Sequence, residues 1–290
     1  MSSHELDKAT IRKAFARAAA TYDSAAVFQR EIAARSLDHL NPIRIDPALA
    51  LDLGCGTGHA LDGLSRRFPR ASICAVDQAL PMLLAARRRR RFITKRLRYI
   101  CADADALPLP DASVDLIFSN LMLQWSPDLE NTFRESRRVL RAGGLLMFST
   151  LGPDTLSELR SAWRAVDDRQ RVHRFLDMHA VGDGLVAAGF AAPVLEAERW
   201  SVTYHRFGDL LRDLKALGAT NASRSRSRGM LGRNKLAALE AAYRGQQADN
   251  VALTATYEVI FGHGWVDQDR NSNRIADGSI GFPLSRLTMK

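Results

Sequence analysis

Leu51-Asp52-Leu53-Gly54-Cys55-Gly56-Thr57-Gly58 constrains this chain more than any other stretch. The apolar run Leu49 to Leu53 reads as a buried parallel strand. Three glycines alternate directly after it, and a helical pattern runs from His59 to Phe68. Glycine lets the backbone turn sharply and lets a ligand approach the main chain. The first turn of the helix then points free N–H groups at that ligand. The spacing is G-x-G-x-G, not the G-x-G-x-x-G of dinucleotide sites. No Lys-Ser or Lys-Thr pair follows, which excludes a Walker phosphate loop. Asp77 ends a second strand, Ser72 to Val76. It lies about 20 residues past the glycines, where an acid can hold ribose hydroxyls. A nucleotide-like ligand is therefore expected on the turn; the alternative is a Gly-rich turn with no ligand.

Strands alternate with helices from 48 to 150, which predicts an α/β fold with right-handed crossovers and a parallel sheet. Ligands in such sheets bind at the carboxyl ends of strands. Gly54, Asp77, Asp103 and Asn120 all fall at predicted carboxyl ends. Residues 4 to 40 read as helical, with apolar sets Ile11, Phe15, Ala18, Ala19 and Val27, Phe28, Ile32, Leu37, Leu40, interrupted at Thr21-Tyr22-Asp23. Met178 to Phe190 reads as a helix with a glycine stop. Ala192 to Tyr204 and Ala255 to Gly262 read as sixth and seventh strands. Between them, Phe207 to Leu217 and Leu236 to Gly245 look helical, while Leu217 to Asn221 and Arg224 to Gly232 look like loop. The expected division is a helical cap (1–45), a ligand-binding core (46–204), a lid or substrate-recognition insert (205–250), and a last strand with an irregular tail (251–290).

Hydrophobic residues make up 46% and charged residues 25% of the 290, ordinary values for a globular protein. No apolar run approaches the roughly 20 residues a membrane helix needs. The polar, acid-bearing N-terminus does not read as a signal peptide. Cys55, Cys74 and Cys101 lie in or beside predicted core strands and read as buried, reduced residues of a cytoplasmic protein. No Cys/His cluster has metal-ligand spacing, so no metal is expected. The net charge of +9 favours an acidic partner: nucleic acid, membrane surface or protein. Arg87 to Arg91 is either the solvated end of a helix starting near Pro81 or a nucleic-acid patch, though no aromatics interleave it. A second basic set, Arg212, Lys215, Arg224, Arg226, Arg228, Arg233 and Lys235, lies in the insert, where substrate selection is expected.

The glycine segment resembles motif I of class I S-adenosylmethionine-dependent methyltransferases. Further matches follow in order: Cys101 to Pro108 resembles the adenine-contacting turn, Asp115 to Asn120 the fourth strand, and Glu135 to Thr150 a helix, Gly-Gly turn and fifth strand. The resemblance covers residues 45 to 155 and implies a Rossmann-like seven-stranded sheet whose last strand is antiparallel. It implies that Gly54, Gly56 and Gly58 shape the cofactor turn and Asp52 orients it and meets the amino group. Asp77 would hold the ribose, Gln78 and Met82 flank the adenine, and Asp103 and Ala104 read its edge and face. Asn120 would place its backbone near the reacting methyl. Tyr22 is either an amphipathic core residue or, as in similar A-x-x-Y-D stretches, a tyrosine that closes over cofactor and substrate.

Other stretches resemble the malonyl-acyl-carrier-protein O-methyltransferases of biotin synthesis. They are Ala14 to Asp23, Ser119 to Trp125, Phe148 to Arg160, Leu217 to Asn221 and Thr256 to Trp265. The departures are Met122 and Gly264, where alanine is more usual. This resemblance implies methylation of the free carboxylate of a malonyl thioester on an acidic acyl carrier protein, with S-adenosyl-L-homocysteine as co-product. Such a carboxylate is already ionised at pH 7, so no general base is needed. Tyr22, Gln124 and Trp125 would line the substrate side. A guanidinium is a natural bidentate partner for a carboxylate; Arg160 is the candidate, or else an exposed helix charge. His263 and Trp265 are either a family feature or core packing. The basic residues Arg212, Lys215, Arg224, Arg226 and Arg228 would dock the carrier. Three rivals are weighed: a small-molecule (quinone-type) methyltransferase, which would not explain the insert; a respiratory complex I assembly factor with the same fold; and a nucleic-acid methyltransferase, whose Asn/Asp-Pro-Pro-aromatic motif Asn120 to Leu123 does not match.

Overall fold

The computed structural model of this chain describes residues 6–89, 96–167, 172, 174–217, 232–247 and 252–267. Three helices come first: α1 (Lys8–Ala18), α2 (Tyr22–Ala25) and α3 (Val27–Asp38). Strand and helix then alternate through β1 (Leu49–Leu53), α4 (Leu61–Arg67), β2 (Ser72–Asp77), α5 (Leu80–Arg89), β3 (Leu97–Cys101) and β4 (Val114–Asn120). A single 3-10 turn, Leu123–Trp125, precedes α6 (Leu129–Val139), β5 (Leu140–Leu151), α7 (Ser157–Val166) and α8 (Met178–Ala187). The chain continues as β6 (Ala191–Tyr204), α9 (Phe207–Ala216), α10 (Arg233–Arg244) and β7 (Leu253–Trp265).

The strands form one seven-stranded sheet in the order β3-β2-β1-β4-β5-β7-β6. Strands β1 to β5 pair in parallel, and β7 runs antiparallel to both β5 and β6. The central strands are apolar on both faces because helices cover both faces; in β1 every residue after Leu49 is buried. The order reverses between β1 and β4, and a doubly wound sheet opens its ligand crevice at such a reversal. Gly58, at φ +82, packs so closely that an added Cβ would meet Leu61 at 2.8 Å and Ala86 at 3.0 Å. It lets α4 and α5 pack tightly.

Several boundaries differ from the sequence reading. Tyr22 and Asp23 do not interrupt the N-terminal helices; they open the one-turn α2, and the breaks fall at residues 19–21 and at Ala26. Val27 is 63% exposed, because α3 buries Ile32, Ala33 and Ser36 instead. Helix α4 begins at Leu61, two residues later than expected. The Gly143-Gly144 pair is no separate turn but an irregularity within β5, where pairing with β4 jumps from Val114–Leu140 to Leu116–Leu145. Helix α6 begins at Leu129 rather than near Glu135, since the Asp128 side chain accepts the Asn131 N–H and caps it. Cys101 is exposed, not buried, because β3 is the sheet's edge strand.

Helices α9 and α10 are welded to the body. Phe207, Leu210, Leu239 and Tyr243 share one apolar cluster with Leu159 and Ala162 of α7 and Leu253, Ala255 and Tyr257 of β7. Each large side chain buried here contributes about 1.5–3 kcal/mol. The Tyr243 hydroxyl donates to the Thr254 carbonyl at 2.8 Å, so its polar end is satisfied. Among the described residues, no helix is long and apolar enough to cross a membrane. The expected loops at 218–221 and 224–231, Arg90 and Arg91 of the basic run, and the tail beyond 267 lie outside the described residues.

Candidate active site: a polar cleft beside an apolar chamber

A cleft enclosing about 760 Å³, its open mouth included, lies at the carboxyl ends of β1, β2 and β4. Gly54, Gly56, Asp77, Gln78, Met82, Asp103, Ala104, Asn120, Tyr22 and Trp125 all line it. The glycine turn is tied to β2 through Asp77. One carboxylate oxygen accepts the Gly56 N–H at 2.9 Å and the other the Ala79 N–H at 2.8 Å. Burial pushes the Asp77 carboxyl above its ordinary value, while these two N–H groups pull it back. Gly54 has φ +76, and a Cβ there would meet Met122 Cγ at 2.3 Å. Only glycine lets the turn pass beneath Met122.

Asp52 lies behind the turn and is only 1% exposed. Its Oδ2 has no hydrogen-bond partner. Desolvation, with the nearby Asp77 charge, pushes its carboxyl up to about 8. A buried carboxylate oxygen without a partner is costly. It fits a ligand that brings a cation or an N–H donor to this end of the cleft.

The N-terminal helices cross the cleft and are held at both sides. Lys8 Nζ meets Asp103 at 2.7 Å and Asp105 at 2.5 Å. On the glycine side, Asp23 accepts the Thr57 hydroxyl at 2.5 Å, contacts His59 Nε2 at 3.0 Å and pairs with Arg89 at 3.3 Å. Between these clasps Phe15 meets the Trp125 ring edge-on at 5.4 Å. Burial, then the Asp77 and Asp23 charges, push the Tyr22 phenol up, so it stays a proton donor at neutral pH.

A second cavity adjoins the cleft; Phe15, Tyr22, Leu121 and Trp125 line both. The rest of its wall includes Phe28, Gln29, Gln124, Leu151, Leu159, Phe175, Leu214 and Tyr257. No charged side chain lines it, among the described residues. Leu121 (φ 50) and Leu156 (φ 55) hold left-handed backbone in this wall. Non-glycine residues adopt such strained conformations mainly at functional sites. Gln124 donates to the Leu121 carbonyl at 2.7 Å and accepts from the Thr150 hydroxyl at 3.3 Å. Asn120 donates to the Gln29 carbonyl at 3.1 Å and accepts from the Ser149 hydroxyl at 2.9 Å. It thereby pins α3 against the end of β4.

Most of the residues named from sequence thus meet around these two spaces. Three do not line them. Asp52 and Gly58 sit behind the glycine turn. Arg160 is turned away: its guanidinium donates to the carbonyls of Pro153 and, at 2.9 Å, Thr155. Both bonds leave one nitrogen, Nη2; it fastens the turn before α7, and Arg160 does not line the chamber. His263 and Trp265 pair with Met147 and Leu145, two and four residues along β5 from Ser149, and neither lines the cleft or the chamber. Arg212 and Lys215 are exposed on α9, Arg212 in contact with Asp209 at 2.7 Å. Arg224, Arg226 and Arg228 lie outside the described residues. One possible ion-binding group, His39, Glu196 and Glu198, lies elsewhere, and Glu198 is already bound by Arg35 and Trp200. Sequence reading missed Lys8 and Gln29, whose helical patterns look ordinary, and gave no role to Asp23 or Leu121, though both lie in stretches it singled out.

Comparison with known proteins bears on the fold and the family. A family described as "Methyltransferase domain" matches residues 51–148. Haemonchus contortus phosphoethanolamine N-methyltransferase 2, solved with S-adenosyl-L-methionine, superposes with a TM-score of 0.56 at 20% identity, covering 86% of this chain and 57% of that one. That likeness speaks for the fold. The malonyl-acyl-carrier-protein O-methyltransferase of Halorhodospira halophila is 49% identical over 91% of this chain and 89% of its own length. The protein of the same name from a Methylovorus species is 48% identical over 91% of both. The chain has the class I methyltransferase fold and belongs to the malonyl-acyl-carrier-protein O-methyltransferase family.

Proposed function

We propose that this chain transfers a methyl group from S-adenosylmethionine to the free carboxylate of a malonyl thioester carried on an acyl carrier protein. The product is the methyl ester that enters biotin synthesis. The observation that carries this reading is the shared wall of Phe15, Tyr22, Leu121 and Trp125 between a polar cleft and an apolar chamber. Identity to the named relatives over nine-tenths of the chain, with the segment around α9 and α10 included, supports the substrate.

The cleft's residues fit the cofactor. Asp77 suits its ribose hydroxyls and Gln78, Met82, Asp103 and Ala104 its adenine; Asp52, just behind the turn and outside the lining, offers its ammonium group an unpartnered carboxylate oxygen once the turn admits it. Bound S-adenosylmethionine supplies an electrophilic methyl group. The chain's own residues have little chemistry to add. A malonyl carboxylate is ionised at neutral pH, so no base is required. Tyr22, Asn120, Gln124 and Trp125 orient the acceptor, and the apolar wall strips water from it. Orientation of this kind lowers a barrier by several kcal/mol. The neutral ester then has no charge to hold it in an apolar chamber.

In this reading, residues 1–45 form the cap, 46–204 the cofactor-binding core, 205–250 the recognition element and 251–290 the last strand with its tail. Arg212 and Lys215, together with Arg224, Arg226 and Arg228, attract the acidic carrier by complementary charge. The reaction takes place in the cytoplasm. The test is transfer of labelled methyl from S-adenosylmethionine to malonyl carrier, with acetyl carrier as control. Label on malonyl carrier alone, released as methanol by mild base, is expected. Label on neither, with cofactor binding intact, would overturn the substrate.

A further inference from the structure

Among the described residues no cation lines the chamber itself; Arg174 lines the adjoining cavity that shares Gln124, Leu151 and Phe175 with it. The polar groups that line it are few, and most are already engaged. Gln124 is bonded at both ends of its amide. The Thr155 hydroxyl donates to the Glu258 carbonyl and accepts its N–H, both at 3.1 Å. The Tyr257 hydroxyl is bonded to Tyr204. Gln29 is different. Its Oε1 is buried without a partner, and its amide makes no hydrogen bond among the described residues. Yet its backbone carbonyl is gripped by Asn120, so the residue is held in place at the head of α3.

We infer that the Gln29 amide is the group that binds the acceptor's carboxylate and selects for it, a conclusion that rests on the reading under Proposed function. An amide carries two N–H donors, and a half-turn about its last bond places them where Oε1 now lies. Buried polar groups are rarely left unpaired, and an arriving carboxylate supplies the missing partner. A neutral donor suits this reaction better than a guanidinium. It holds the carboxylate without neutralising the charge that attacks the methyl, so less of the binding is lost at the transition state. Tyr22, on the boundary of both spaces, stands as the adjoining hydroxyl donor.

The test uses full-length Gln29→Met, Gln29→Ala and Gln29→Glu. Turnover of malonyl carrier and affinity for S-adenosylhomocysteine are measured on each. Loss of hydrogen bonds to a charged group should lower kcat/KM about 10- to 100-fold in the Met and Ala variants. Cofactor affinity should stay within about twofold, because Gln29 does not line the cleft. Gln29→Glu should fall further at pH 8 and approach Gln29→Met as the pH is lowered, since its charge repels the substrate's. A Met variant with wild-type kcat/KM overturns the inference and leaves the function standing. So does a fall in cofactor affinity that matches the fall in turnover, which marks a structural role. A wild-type chain inactive on malonyl carrier overturns both.

Discussion

The cleft and the chamber share four side chains, Phe15, Tyr22, Leu121 and Trp125, but little else about their construction. The cleft is built largely from strand ends and the turns that leave them. Its polar groups are held by backbone hydrogen bonds, as Asp77 is by Gly56 and Ala79. The chamber draws its wall from α1, α2, α3, the turn after β4, the end of β5, α7 and its flanking segments, α9 and β7. Its surface is mostly aliphatic and aromatic. On the proposed reading, one half uses fixed dipoles to hold a charged, highly functional ligand. The other excludes water and keeps a few neutral polar groups for orientation. On the proposed assignment, recognition of the methyl donor belongs to the sheet, while recognition of the acceptor depends on how added helices pack against it.

The largest effect should come from Gly54→Ala. Its Cβ would overlap Met122, a cleft residue, and force φ +76 on alanine. Strain alone costs about 1–3 kcal/mol, and affinity for S-adenosylhomocysteine should fall by more than about 100-fold in calorimetry. Retained affinity would break the claim that the sheet's turn sets donor binding.

Next is Asp52→Asn, with an expected loss of about 30-fold in the same affinity. The pH dependence sharpens the point. Because burial raises the Asp52 carboxyl to about 8, its neutral form favours the ligand-free fold. That stability is full below the ordinary carboxylate range and is lost as pH rises through about 8. Wild-type melting temperature should therefore drop, relative to Asp52→Asn, between about pH 5 and 9. Cofactor binding at pH 7 should release a proton, visible as a buffer-dependent enthalpy that the variant lacks.

Arg160→Ala should destabilise the fold by about 1–2 kcal/mol, because the Pro153 and Thr155 carbonyls lose their donor. KM for malonyl carrier should stay unchanged; a rise in KM would return Arg160 to the substrate. The smallest effect is expected from Arg212→Ala with Lys215→Ala. Both side chains are exposed, so KM for the carrier should rise about threefold at low salt and hardly at all at 0.5 M.

How much of this was legible in the sequence follows the same division. The strands, the glycine turn and Asp77 announce themselves because contiguous residues make them. The chamber does not, since its wall joins residues from Phe15 to Tyr257 that meet only in three dimensions. Arg160 shows the limit clearly. Its neighbours Thr155, Leu156 and Leu159 do line the chamber, but a rotamer choice turns its guanidinium to nearby carbonyls. Gln29 follows Phe28 in an ordinary helical pattern, and only its unpaired buried oxygen sets it apart. Cys101 read as core because its strand is apolar, yet edge position exposes it.

The most direct measurement is calorimetric titration of S-adenosylhomocysteine into wild type, Asp52→Asn and Gln29→Ala, with malonyl-carrier turnover on the same preparations. The expected result is a clean division: Asp52→Asn weakens cofactor binding, whereas Gln29→Ala leaves it intact and loses turnover. Equal weakening of cofactor binding in both variants would contradict a donor cleft and an acceptor chamber that work as separate sites across one wall.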